Sequence, residues 1–271
     1  MVALTQRSES LANKMEWLNR RPRTLAALLL SALLLFQLPA WIVKWWLPDS
    51  VIVSGVSGTL WSGQAARGWV QVGDRPVMLG RISWRITPWQ LVWGTPVWLD
   101  SQWGDQLLQA RVGTRLDGTV LVRDLRFRID MALVRAVAPI FLGGTLTGDI
   151  SELVLAGRQL EAGSGTLALN KAIWTANSGS IALGSYRMIL DQAAPSIEGQ
   201  SAGDAAAVTG KVTTLDGSLR IDGDIALSAD RYRINLQAAG ALARDEQFRR
   251  SVAVLATPSA EGFDIALEGR Y

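Results

Sequence analysis

Twenty consecutive residues, Thr24–Val43, carry no formal charge and are bracketed by Arg23 and Lys44. At about 1.5 Å per residue a helix of that length measures about 30 Å, the thickness of the hydrocarbon core of a bilayer. Its centre, Leu25–Phe36, is almost continuous Leu and Ala. The run therefore has either to cross a membrane or to be covered by something equally apolar. Arg20, Arg21 and Arg23 precede it and only Lys44 follows closely. The positive-inside rule then places the N-terminus in the cytoplasm and the rest of the chain across the membrane. Trp41, Trp45 and Trp46 follow the run, as aromatic residues do at headgroup depth. A cleaved signal peptide is the competing reading. Its n-region would be long, and Leu38-Pro39-Ala40 sets a bulky Leu where a cleavage site needs a small residue, so an uncleaved anchor is expected.

Charge is concentrated at the start. Before Thr24 stand Arg7, Lys14, Arg20, Arg21 and Arg23 against Glu9 and Glu16. That excess of three equals the formal net charge of the whole chain, +3, so the remainder is neutral and offers no basic footprint for nucleic acid. The chain has no Cys and no His. Disulfides, thiolate or imidazole metal sites, a Cys nucleophile and a Ser-His-Asp triad are all excluded. No metal and no cofactor is expected. Asp222 and Asp224 flank a glycine, and Asp245-Glu246 opens a helical pattern. These read as turn and helix-start carboxylates, not as a catalytic pair. Gly163-Ser-Gly165 leads into a strand pattern, whereas a dinucleotide site requires a helix there. No enzymatic role is expected.

After Val43 the apolar period changes to two. Ile82, Trp84 and Ile86 alternate with Ser83 and Arg85. Leu125, Phe127, Ile129 and Met131 alternate with Arg126, Arg128 and Asp130. Ile181–Leu183, Leu219–Ile221, Ile225–Leu227, Tyr232–Leu236 and Ile265–Leu267 repeat the pattern. Each predicts a strand with one dry and one wet face. Asp117-Gly118, Asp216-Gly217 and Asp222-Gly223 read as tight hairpin turns. A recurring Gly-Ser/Thr-Leu element, at Gly58, Gly144, Gly165 and Gly217, reads as strand entry. Asp130–Leu142 and Arg244–Leu255 carry helical spacing, and Ala193–Thr209 reads as a loop. The expected fold is mainly β: an N-terminal single transmembrane helix, then an elongated, curved antiparallel β-sheet domain with one or two short helices. The expected division is 1–23 as cytoplasmic tail, 24–43 as transmembrane helix and 44–271 as β-rich domain, with two lobes meeting near 141–144 as an option.

Ten of the twelve Trp lie between Trp41 and Trp103, which makes that segment the place to look for either a core or a binding face. Trp84 shares its face with Ile82 and Ile86 and is assigned to the core. Trp93, Trp98 and Trp103 stand beside turns and, with Phe127 and Ile129, form the candidate partner or ligand face. Arg126 and Arg128 share a strand face that either is solvated or meets an acidic partner or lipid headgroups.

Between the apolar run and the first alternating strands lies Ser54-Gly55-Val-Ser-Gly58-Thr59-Leu60-Trp61-Ser-Gly63. With the short tail and the anchor ending in Leu38-Pro39-Ala40, this string resembles the signature of protein N of the bacterial type II secretion pathway. Gly165–Trp174 and Leu183-Gly184 resemble later elements of that family. The resemblance implies a cell inner-membrane, single-pass accessory or scaffold subunit with its C-terminal domain in the periplasm. It acts by protein–protein interaction, with the outer-membrane secretin and the inner-membrane platform proteins as partners. No enzymatic activity or cofactor is implied. The alternative from the residues themselves is a membrane-anchored β-groove protein that carries lipid or apolar cargo. That reading requires Phe127, Ile129, Leu219 and Ile221 to stay uncovered.

Overall fold

The computed structural model describes residues 22–72, 75–91, 94–137, 142–157, 159–176, 179–192, 208–228, 231–252 and 256–270. The chain opens with helix α1, Pro22–Phe36, followed by a 3-10 turn over Ala40–Trp45. The strands then follow as β1 (Val51–Gly58), β2 (Ser62–Val72), β3 (Arg75–Ile86), β4 (Val97–Trp103), β5 (Gln106–Thr114) and β6 (Val120–Asp130). Helix α2, Met131–Val137, separates them from β7 (Leu142–Ala156), β8 (Gln159–Ala176), β9 (Gly179–Gln192), β10 (Val208–Gly217), β11 (Arg220–Leu227) and β12 (Arg231–Ala239). Helix α3, Glu246–Val252, precedes β13 (Thr257–Pro258) and β14 (Gly262–Arg270). All fourteen strands form one antiparallel sheet in sequence order, except that β14 lies between β12 and β13. At residues 141–144, the suggested lobe boundary, β6 pairs directly with β7 from Asp130↔Thr145 to Val120↔Leu155, so the sheet continues across it.

Alternation makes these strands. In β6, Leu125, Phe127 and Ile129 are half-buried while Arg126, Arg128 and Asp130 are exposed. Asp124, at φ 50, is a bulge residue where the β5 register shifts between Gln109 and Arg111. The wet face carries cross-strand ion pairs Arg111–Asp124 at 3.5 Å, Arg123–Glu152 at 3.2 Å and Arg126–Asp149 at 3.4 Å. Exposed pairs of this kind are worth at most about 1 kcal/mol each.

Among the described residues, three elements cover the dry face. The turn Ala40–Trp45 lies on β1 and β2, where Ala40, Ala65 and Trp84 form a buried cluster with Val53, Val56, Ile82 and Ile86 around it. Helix α2 lies over β3, β6 and β7, and its Leu133 closes a small cavity of about 60 Å³ with Met78, Leu107 and Ile129. Helix α3 places Phe248 on Leu219, Ala238 and Phe263. Between the last two, Ile150, Leu190 and Val208 are buried together. Here a Cβ on Gly163 would come 3.4 Å from Val208 Cγ2, so β8 and β10 meet over the intervening β9.

Several expectations change on contact with this fold. The expected transmembrane helix over 24–43 is not one helix: α1 ends at Phe36, before Val43 is reached. Pro39 lacks an N–H and forces Leu38 out of the helical region, and the chain turns into the 3-10 segment. Among the described residues no helix is long and apolar enough to cross a membrane. Asp117-Gly118 does form a tight turn, with Thr119 N–H donating to Asp117 Oδ1 at 2.9 Å. That bond holds the Asp117 carboxyl below the usual carboxylate range. Asp222-Gly223 is not a turn but mid-strand in β11, paired with Val212 on one side and with Leu236 and Gln237 on the other. Asp216-Gly217 closes β10 against Ser185 and Gly184 of β9, and the chain reverses only at Ser218 and Leu219. Gly144 and Gly165 likewise sit inside β7 and β8 rather than at their entries. Both helical segments are present, with described spans Met131–Val137 and Glu246–Val252. Within the expected loop Ala193–Thr209, Val208 and Thr209 already belong to β10, and residues 193–207 lie outside the described residues.

Tyr186 ties the C-terminal cluster together. Its hydroxyl donates to Leu219 O at 2.9 Å. Burial, and secondarily the charge of Asp216, push its pKa up to about 12 from 10.0. The folded state therefore favours the neutral phenol. Its stabilisation is complete below pH 10, where both states are protonated, and is lost as pH rises through about 12 because the unfolded chain ionises first. The expected loss is on the order of 2 kcal/mol. Denaturation curves taken between pH 9 and pH 12 read it, and Tyr186→Phe flattens that part of the profile.

Candidate functional site

The signature residues converge on the end of α1. Ser54 and Gly55 lie in β1, where Ser54 pairs with Arg67. Gly58, Thr59, Leu60, Trp61 and Gly63 make the β1–β2 hairpin. Thr59 N–H donates to Ser62 O at 2.9 Å, and Ser62 N–H returns a bond to Thr59 Oγ1 at 3.2 Å. This closes the turn so tightly that two glycines are obligatory. At Gly58, φ is +92 and a Cβ would sit 2.6 Å from Ser62 O. At Gly63 a Cβ would sit 2.5 Å from Trp84 Cζ2 and 2.9 Å from Ser57 O.

The two residues at the tip face opposite tasks. Leu60 is buried, donates its N–H to Leu38 O at 2.7 Å and accepts Trp84 Nε1–H at 3.0 Å. Trp61 Nε1–H donates to Leu35 O at 2.9 Å, and its ring lies 6.0 Å from that of Phe36. Leu35 O is one of the last four helix carbonyls, which have no intrahelical donor, so the indole acts as a C-terminal cap. A backbone bridge between Pro39 and Thr59 completes the clamp. The signature is a socket that fixes the exit of the apolar helix on the first edge of the sheet. A single neutral bond of this kind contributes about 1 kcal/mol, and the clamp combines three with the packing of Ala40 against Ala65 and Trp84.

The remaining candidates do not form one site. Trp84 is core, as expected. Trp98 pairs with Arg85 on the opposite face, with the Arg85 guanidinium 6.0 Å from its ring centroid. Trp103 is exposed and, with Arg128, Ile129, Thr145, Asn170 and Lys171, lines a groove of about 550 Å³ at the other end of the strands. Phe127 packs toward the central cluster and Ile129 toward α2. Trp93, Arg20 and Arg21 lie outside the described residues. Arg23 belongs to α1. Lys44, Trp41, Trp45 and Trp46 are exposed, and the rings of Trp41 and Trp45 stand edge to face at 5.1 Å. Leu219 is buried beneath Phe248, with Ile221 packed beside it, so the dry face is closed there and not a continuous trough. Among the described residues no group of His, Cys, Asp or Glu could hold a metal ion. Asp222 accepts from Thr214 N–H at 3.3 Å on the exposed face, a structural role.

Sequence reasoning missed the clamp and the far edge. β13 pairs with β14 only at Asp264 and Phe263, so from Ile265 onward the outer side of β14 has no strand neighbour among the described residues. Gly262 O faces β13, where it accepts Ser259 N–H, so by alternation the outward backbone groups belong to Ala266 and Glu268.

Comparison with known families makes the chain a component of the type II secretion system. The family model described as Type II secretion system (T2SS), protein N, matches residues 49–266, and the chain belongs to that family. The match includes the whole signature and begins after the helix that the signature clamps. No curated protein and no solved structure matches the chain.

Proposed function

We propose that the protein is an inner-membrane-anchored, periplasmic scaffold subunit of the type II secretion system that works by protein–protein contact and performs no catalysis. Family membership supports the assignment to secretion. The observation that carries the scaffold reading is the outer side of β14, which offers main-chain donors and acceptors at Ala266 and Glu268 to an incoming strand. The membrane part of the proposal rests on α1. Leu28, Leu29, Leu30, Leu33 and Leu34 are all exposed on it, and exposed leucines on that scale mark contact with an apolar phase. With N-terminal positive charge on the cytoplasmic side, the domain over 44–271 stands in the periplasm. There its partners are the secretin or the platform subunits.

In-cell photo-crosslinking tests the reading. A probe at Ala266 or Glu268 is expected to give adducts with another secretion subunit, and a probe at the exposed Leu215 inside the sheet is not. Absence of secretion-subunit adducts at both edge positions, with the protein present at normal level, overturns the edge-docking role.

A further inference from the structure

The ends of the strands differ in what they expose. The β1–β2 hairpin at Thr59–Ser62 receives the end of α1. Ile86 N–H donates to Trp61 O at 2.6 Å, so the connection after β3 lies at the same end. Thr87 N–H donates to Pro96 O, which brings the start of β4 there, and Val97 pairs with Val112 near the end of β5. Arg115 N–H donates to Thr119 O at 2.8 Å, closing the β5–β6 hairpin at this end too. Three connections next to the apolar helix thus form one row. With strands about 4.8 Å apart it extends about 20 Å from α1.

Hairpin tips normally carry small polar residues. Here the β3–β4 connection exposes Trp89 at 73% and Leu91 at 53%, and the tip of the β5–β6 hairpin holds Leu116 at 100% beside an exposed Arg115. Further along the same end the described residues beside the turns are small or polar: Gly157 and Gln159 flank the β7–β8 turn, and Ser228 follows β11. Among the described residues, the large exposed apolar side chains in the connections at this end are Trp89, Leu91 and Leu116, all in the row that starts at α1. The opposite end of the same strands turns at Gly104 and Asp105, with one exposed aromatic residue, Trp103, just before the turn.

We infer that this end of the sheet is a second membrane contact: Trp89, Leu91 and Leu116 enter the headgroup region of the bilayer that holds α1, and Arg115 meets its phosphates. The inference rests on the anchor reading above and extends it, because the clamp at Trp61 then holds the N-terminal strands end-on to the membrane. Trp prefers headgroup depth, Leu gains from partial burial there, and Arg complements anionic lipid.

The chain has no Cys, so single labels are unambiguous. The full chain is reconstituted in vesicles of phosphatidylethanolamine with a minority of phosphatidylglycerol. An environment-sensitive fluorophore is placed through Trp89→Cys, Leu116→Cys, Asp105→Cys or Leu30→Cys. Headgroup spin-labelled lipid is expected to cause about a two-fold or greater loss of emission at 89 and 116, as for groups at the interface, and none at 105. Unquenched emission at both 89 and 116 overturns the second contact. The label at 30 reads the anchor separately. Quenching by acyl-chain spin label at 30 with none at the tips leaves the anchor and removes only this inference. Lack of quenching at 30 removes the anchor.

Discussion

Trp84→Ala is expected to cost about 3–5 kcal/mol and to loosen the helix clamp as well as the N-terminal strands. Trp84 is 7% exposed and lies against Ala40 and Ala65. The two buried partners are alanines, with no side-chain length to fill the space an indole leaves. The loss also strands Leu60 O, which accepts the indole N–H at 3.0 Å. Leu60 in turn holds Leu38, so the effect reaches the exit of α1. Hydrogen exchange on the full chain checks this. Amides of β1–β4 should lose protection while β8–β12 keep theirs, since in a sheet paired in sequence order each strand depends mainly on its neighbours. Trp84→Phe keeps most of the packing and loses the bond, with an expected cost nearer 1 kcal/mol. Equal loss of protection along the whole sheet would sink the idea that the clamp region is a local unit.

Phe248→Ala acts at the other end by the same mechanism. Phe248 is 2% exposed, with its ring 6.4 Å from Trp174 and 6.1 Å from Phe263. The seven described residues of helix α3 are far below the length at which a helix holds in water by itself. It is held by this side chain and by Asp245, whose Oδ1 accepts Phe248 N–H at 2.8 Å as an N-terminal cap. Truncation should cost about 3–5 kcal/mol. It should also release α3, uncovering Leu219, Ala238 and Phe263. Hydrophobic-dye binding at neutral pH checks it: an increase is expected for Phe248→Ala and a much smaller one for Asp245→Ala, which removes about 1 kcal/mol of capping. Unchanged dye binding with a lowered melting temperature would mean that the sheet end closes without α3.

The strands were legible because a sheet with one dry face writes its period into the chain. Leu125, Phe127 and Ile129 alternate with Arg126, Arg128 and Asp130 in the sequence and in burial alike. The Asp-Gly turns were half legible. Asp117-Gly118 has a free tip and its own carboxylate bond to Thr119, so local chemistry decides it. Asp222-Gly223 has strands on both sides, and their ladders override the local preference. The binding-face residues scattered because standing beside a turn does not tell which end of the sheet, or which face, that turn occupies. Trp98 and Trp84 sit on opposite faces although both belong to the same aromatic segment.

What the amino-acid order determined unaided is local and periodic: an apolar stretch that must avoid water, alternating strands, and the family string Ser54–Gly63. These follow from side-chain transfer, backbone sterics and the pleat, all of which act over a few residues. Tertiary structure decided the rest. Trp61 caps a carbonyl 26 residues earlier. Gly63 is glycine because Trp84 fills its place. Among the described residues, the outer side of β14 beyond Asp264 has no strand neighbour because β13 pairs with it at only two positions. The apolar tips stand in one row because five antiparallel pairings, from β1–β2 to β5–β6, bring alternate connections to the same end. Such relations depend on register, and register is set by the closing of many long-range backbone pairs together, which no short stretch of sequence specifies.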